Sequence, residues 1–206
     1  MRINVDNFYH GEEIIWGHQL AIWEVSLQDF DLTSLHHCLH TASWEGNQPQ
    51  GALRCAMSYP LPESIHLFRT GIESLKNSIL EQIYETGNDY IKRNWYAGID
   101  FYKENTGMGV QIFKDLPGFS MEPHIDNGHV MFQLLINLTE NDTGTAFHNP
   151  STFLLSAKST DTPVYKSTGE QGKGIVFLNN GNSAHSINHI TKDRYVLYAS
   201  IHTSRF

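Results

Sequence analysis

Positive charge is scarce in this chain of 206 residues: Lys and Arg number 14 against 22 Asp and Glu, a formal charge of −8. With no Lys/Arg-rich run, the sequence has no electrostatic footprint for nucleic acid or an anionic membrane surface. Cysteine is scarcer still. Cys38 and Cys55 cannot make a disulfide framework, which points to a reducing compartment, the cytoplasm by default, and both read as inert buried thiols. No apolar run approaches the ~18 residues of a membrane span, and the N-terminus Met1-Arg2-Ile3-Asn4-Val5-Asp6 is polar from its start, so neither a span nor a leader is expected. Charged residues, at 17%, fall below the usual ~25%, but 40% hydrophobic and 12% aromatic residues are globular values, and wholesale disorder is excluded. No internal period repeats, and the simplest organisation is one domain over residues 1–206, with a helix-containing support region at 1–94 and a β core at 95–206.

What the chain holds in abundance is histidine, with 12 residues. Imidazole is the common metal ligand and the side chain that titrates near neutrality, so the placing of these residues decides their meaning.

The apolar stretch Gln19 to Val25 reads as a strand, and Asp31 to His40, opening with the cap-like Asp31 and Thr33, as a short helix. Between Glu63 and Glu85 the residues Ile65, Phe68, Ile72, Leu75, Ile79 and Ile83 recur at spacings of three and four, which predicts one amphipathic helix. Pro60 and Pro62 precede it, and Gly87 with Asn88 stops it. Beyond residue 94 the texture turns to β: Trp95–Tyr102, Met108–Phe113, Val130–Leu138, Gly174–Leu178 and Tyr195–Ile201 are short branched and aromatic runs separated by Gly, Pro, Asn and Asp. The pattern predicts an α+β fold in which N-terminal helices cover one face of a jelly-roll-like β core.

Three residues of the β half carry chemistry. In Glu122-Pro123-His124-Ile125-Asp126-Asn127, His124 and Asp126 are two apart in an extended segment, so both side chains leave one face and can reach one ion. Far downstream, Asn182-Ser183-Ala184-His185 follows an apolar strand and supplies a third donor. Two neutral imidazoles and one carboxylate on one side of an ion suit non-haem Fe(II) that activates dioxygen, and zinc accepts the same donors. Nine residues after His185, Arg194 opens a strand in which Val196, Tyr198 and Ser200 share its face. A cation held inside a barrel calls for an anion.

His124-x-Asp126, His185 and Arg194 together resemble the Fe(II)/2-oxoglutarate-dependent dioxygenases over roughly residues 95 to 202. Ile112 to Phe119 ahead of the first ligand, Asp126-Asn127, and the run from His185 to Arg194 are similar to the prolyl-hydroxylase-like branch. The resemblance implies a double-stranded β-helix. It also implies that His124, Asp126 and His185 hold the iron and that 2-oxoglutarate chelates it. Arg194 then pairs bidentately with the distal carboxylate, as a planar fork does well. Dioxygen is consumed, succinate and CO2 are released, and the substrate is commonly hydroxylated. Set against that branch, Gln133, Asn137 and Tyr198 stand near positions that contact 2-oxoglutarate. One departure is a missing glycine: where the branch has a Gly-Gly pair, the chain reads Asp142-Thr143-Gly144-Thr145. Retention of Asp126 favours hydroxylation over halogenation, which needs a small residue there.

Other readings stay open. A cupin-like metalloenzyme, a hydrolase or isomerase, uses the same three ligands with a metal-bound water, and a binding module on a degenerate barrel is a third. His189, four after His185, is a rival ligand. His36 and His40 have the spacing of a metal clamp, but no acidic partner lies between them, and a solvated helix face is the simpler reading. Trp16, Trp23, Trp44, Trp95, Tyr59, Tyr96 and Tyr102 suit a substrate pocket and core packing equally. The substrate is a small metabolite, an amino acid or a protein residue.

Overall fold

The computed structural model describes residues 1–15, 18–46, 53–95, 98–149 and 162–203. Strands β1 (Arg2–Ile15) and β2 (His18–Gln28) form a long antiparallel hairpin. Helix α1 (Leu32–Thr41) follows, capped by Asp31, whose carboxylate accepts from the Thr33 N–H at 2.9 Å. Next come β3 (Trp44–Gly46), β4 (Arg54–Met57), and the helices α2 (Glu63–Ser74), α3 (Lys76–Thr86), α4 (Asp89–Asn94) and α5 (Gly98–Asn105). The rest is β5 (Thr106–Asp115), β6 (Met121–His124), β7 (Val130–Asn137), β8 (Thr145–Phe147), β9 (Tyr165–Lys166), β10 (Lys173–Leu178), β11 (His185–Ile187) and β12 (Arg194–Thr203).

Two sheets result, an eight-stranded one ordered β1-β2-β10-β7-β12-β5-β4-β3 and a four-stranded one ordered β6-β11-β8-β9. Strands β5 to β12 divide between them: β5, β7, β10 and β12 go to the large sheet, the other four to the small one, with antiparallel pairing throughout. That is the double-stranded β-helix. Four further strands from the first 94 residues extend the large sheet at both edges, so this region supplies sheet as well as helices.

The strand period of two sorts each strand's residues between two environments. From β7, Phe132, Leu134 and Ile136, and from β12, Tyr195, Leu197, Ala199 and Ile201, join a core with Ile65, Phe68 and Ile72 of α2 and Ile79, Leu80 and Ile83 of α3. On the other face Leu20, Ile22, Ile175 and Phe177 meet Phe147 of the small sheet. Burial of a side chain of this size is worth roughly 1.5–3 kcal/mol, so the helix-backed face carries much of the stability. Among the described residues no helix is long and apolar enough to cross a membrane.

Three sequence expectations change. The helix expected over Glu63 to Glu85 is two, parted at Leu75, where the Leu75 N–H turns to the Ile72 carbonyl and the Ser74 hydroxyl donates to Gly71 O at 2.7 Å. A glycine and a back-bonding serine loosen the turn, while the apolar stripe runs on through both halves. The strand expected over Trp95–Tyr102 gives way, among the described residues, to a helix at Gly98–Asn105, and Trp95, Ile99 and Tyr102 reach the core at spacings of four and three. Composition suggested β there, but the period is that of a helix. Cys38 is half-buried rather than buried, and its sulfur accepts from the Ser64 hydroxyl.

Where the sequence keeps a single glycine, the backbone demands it. A Cβ on Gly144 would stand 2.0 Å from the Ser167 carbonyl oxygen, so only glycine lets β8 lie against its neighbour.

Candidate metal and anion site

Strands β6 and β11 pair with His124 directly opposite His185, which brings the ring centroids to 4.4 Å. Each ring is held in the same way: Nδ1 of His124 faces Glu122 O at 2.9 Å, and Nδ1 of His185 faces Ser183 O at 2.8 Å. A carbonyl oxygen only accepts, so both Nδ1 atoms carry the proton, and both Nε2 lone pairs are left for a ligand. Asp126, two residues past β6, places Oδ1 3.7 Å from Nε2 of His124 and Oδ2 3.7 Å from Nε2 of His185. These gaps are too long for hydrogen bonds. Two metal–ligand bonds of about 2.1 Å span them.

One ligand atom from each of the three residues lies within 4.8 Å of the others, and no other group of three or more His, Cys, Asp or Glu converges so among the described residues. Oδ2 of Asp126 is buried without a hydrogen-bond partner, a deficit of about 1–3 kcal/mol or more that a cation would remove. His185 has its pKa lowered to about 4, first by burial and then by the neighbouring His124, so it is neutral near pH 7, as a ligand must be. The residues fit a divalent metal.

The opposite wall, formed by the large sheet, is cationic. Arg194 is 1% exposed, and its Nε and Nη1 have no hydrogen-bond partner. Burial lowers its pKa to about 10, with Arg54 adding to the effect and Asp115 opposing it, so the guanidinium keeps its charge at neutral pH. Tyr198, on the same face, accepts from the Gln133 amide, which leaves its own O–H to donate. Burial, and next the negative charge of Asp126, raises its pKa.

A cavity of about 300 Å³ joins the two walls, with His124, Asp126 and His185 on one side and Arg54, Arg194 and Tyr198 on the other. Leu135, Ile187 and Val196 line it between them.

Of the residues singled out by sequence, His124, Asp126, His185, Arg194 and Tyr198 line this cavity. Gln133 stands behind Tyr198. Asn137 shares the strand face of Gln133 but turns its amide to Thr168 O and Lys173 O at 3.0 and 3.3 Å, away from the cavity. His189 is exposed, with Nδ1 on Gly118 O. His36 and His40 face each other on α1 with Nε2 atoms 3.0 Å apart, and His40 meets the Tyr195 hydroxyl on the helix side of β12. Of the aromatics, Trp16 and Tyr96 lie outside the described residues. Trp23, Trp95 and Tyr102 are core, Trp44 packs against Tyr195, and Tyr59 is 78% exposed; none of these lines the cavity. Sequence reasoning missed Arg54, for which a lone arginine between Leu53 and Cys55 gives no signal, and Asp115, which is visible only as a strand end.

No protein-family model matches the sequence, and no curated protein is a significant match. Solved structures do match. HygX from Streptomyces hygroscopicus, solved with nickel, 2-oxoglutarate and hygromycin B bound, superposes with a TM-score of 0.52 at 9% identity, over 90% of this chain and 84% of that one. A prolyl-4-hydroxylase from Pseudomonas putida gives a TM-score of 0.49 at 12% identity over 85% and 100% of the two chains. An oxidoreductase of the 2OG-Fe(II) oxygenase family from Burkholderia pseudomallei gives 0.49 at 15% over 87% and 84%. The likeness to HygX establishes a shared fold, the double-stranded β-helix that the strand order already defines.

Proposed function

We propose that this chain is an Fe(II)- and 2-oxoglutarate-dependent oxygenase that hydroxylates a small metabolite, an amino acid or a protein residue. One observation carries the reading: a His/Asp/His set with an unpaired buried carboxylate oxygen faces, across one cavity, a buried arginine with two unpaired donors. A metallohydrolase has use for the first half, and for the second only where its substrate is an anion. Support from outside the chain comes from HygX, of the same fold, with nickel and 2-oxoglutarate bound.

In this reading His124, Asp126 and His185 hold the metal, and Arg194 receives the distal carboxylate of 2-oxoglutarate. Bound together, Fe(II) and 2-oxoglutarate supply oxidising power from dioxygen, one oxygen atom passing to the substrate and the other to succinate, with loss of CO2. The protein's share is position and environment. The carbonyls of Glu122 and Ser183 fix the two imidazoles in the ligating tautomer. Tyr198, held by Gln133, offers its O–H to the anion. Leu135, Ile187 and Val196 give these polar contacts an apolar flank, which strengthens them.

The test is an anaerobic visible spectrum of the protein with Fe(II), before and after 2-oxoglutarate is added. The reading expects the charge-transfer band of an iron-bound 2-oxo acid, lost in Arg194→Ala at limiting 2-oxoglutarate. Fe(II) binding with no such band would move the hydrolase or isomerase reading to the front.

A further inference from the structure

Three residues on neighbouring strands stand directly opposite one another: Arg54 on β4 is in register with Asp115 on β5, and Asp115 with Arg194 on β12. Directly opposed residues share a sheet face, so their side chains form one row along the cavity's cationic wall. The carboxylate is not shared equally. Arg54 takes both oxygens, Nε on Oδ1 at 2.6 Å and Nη2 on Oδ2 at 2.9 Å, whereas Nη1 of Arg194 stands 3.6 Å from Oδ2, beyond hydrogen-bonding range. Arg54 is fixed in that pose by two rings, its guanidinium lying 5.0 Å from the Phe113 centroid and 4.5 Å from that of Phe119. All three polar side chains are buried, Asp115 completely.

We propose that Arg54 is the positioning residue of the anion site: by occupying both oxygens of Asp115 it keeps Nε and Nη1 of Arg194 unpaired for the distal carboxylate of 2-oxoglutarate. The inference rests on the oxygenase reading above. Charge supports it. Two guanidinium groups and one carboxylate leave the row with a single positive charge, which one carboxylate neutralises. Remove Arg54 and the row is neutral, while Asp115, buried and deprived of its fork, has only Arg194 to turn to. The Arg194 guanidinium, which lines the cavity, would then be spent within the wall. Removing the charge of Asp115 as well should return it, because nothing else in the row competes for Arg194.

Calorimetric titration of the Ni(II)-loaded protein with 2-oxoglutarate measures this apart from turnover. Arg54→Gln is expected to bind about 10-fold more weakly or worse. Arg54→Gln combined with Asp115→Asn is expected to recover most of the loss. A purely structural role for Arg54 gives the opposite order, with the double variant no better than the single. That result, or an Arg54→Gln protein of wild-type affinity, overturns the proposal and leaves the oxygenase reading standing. Wild-type protein that takes up no 2-oxoglutarate overturns both. Should Arg54→Gln fail to fold, the same comparison is made on Arg54→Lys, which keeps the charge but cannot hold both oxygens in a planar fork. It is expected to bind more weakly than wild type and to be rescued by Asp115→Asn.

Discussion

The two faces of the large sheet are built from the same strands and obey opposite rules. Along β12, Tyr195, Leu197, Ala199 and Ile201 face the helices in a dense apolar core, while Arg194, Val196 and Tyr198 face the cavity. On the helix side shape and burial decide, although Trp23 Nε1 is a buried donor left without a hydrogen-bond partner there. On the cavity side such atoms gather: Nε and Nη1 of Arg194, Oε1 of Gln133 and, just past β6, Oδ2 of Asp126. Each of these costs stability in the ligand-free chain. One face therefore keeps the fold, and the other uses part of that stability to hold groups ready for a ligand.

Substitutions that strike one face and spare the other test the contrast. The largest effect is expected from His124→Ala, which should abolish metal uptake and succinate release while leaving thermal unfolding of the metal-free protein nearly unchanged. Normal turnover in that variant would end the assignment of His124 as a ligand. Leu197→Ala strikes the helix side and should cost about 2–5 kcal/mol in denaturant unfolding, with metal affinity intact in whatever fraction remains folded. Arg194→Met should weaken 2-oxoglutarate binding about 100-fold. Its stability should stay level or rise, since a buried cation whose nearby carboxylate, Asp115 at 3.6 Å, is already held by Arg54 is replaced by an apolar chain, and a large fall in unfolding midpoint would contradict the contrast.

Acid provides the smallest test. His185 has a folded-state pKa of about 4, below the ordinary value of 6.5, so the unfolded chain takes up the proton first. Its contribution is full above pH 6.5 and is lost as the pH falls from there toward 4. Comparing the pH dependence of unfolding of the metal-free protein with that of His185→Gln isolates it, and parallel curves would show that burial of His185 does not act this way.

How far the sequence reveals this design differs between the faces. The helix side was legible wherever period and composition agreed, as along α2 and α3, and failed at Trp95–Tyr102, where aromatic and branched residues sit on a helical period. At the site, a two-residue spacing sufficed to bring the side chains of His124 and Asp126 together, and the face shared by Arg194 and Tyr198 followed from alternation along one strand. Asn137 shows the limit of that reasoning. It shares a face with Gln133, but the face runs past the end of the cavity. Arg54 and Asp115 were out of reach for a deeper reason. Their partnership exists only in the register of β4, β5 and β12, and Arg54 is 61 residues from the carboxylate it holds. Register between distant strands is a property of the assembled sheet, not of any window of sequence.

The direct pairing of His124 with His185 ties the site to the finished architecture. Neither the metal donors nor the arginine row exists until β6 has met β11 and β4, β5 and β12 lie side by side, so a partly folded chain has nothing to offer a ligand. Whatever occupies the cavity therefore binds the native state alone, and at a free concentration 100 times its dissociation constant it would add about 2.7 kcal/mol to stability. In a cell that marginal gain translates into lifetime. The abundance of this protein should follow the supply of whatever fills the cavity, falling through proteolysis of the open chain when it runs short.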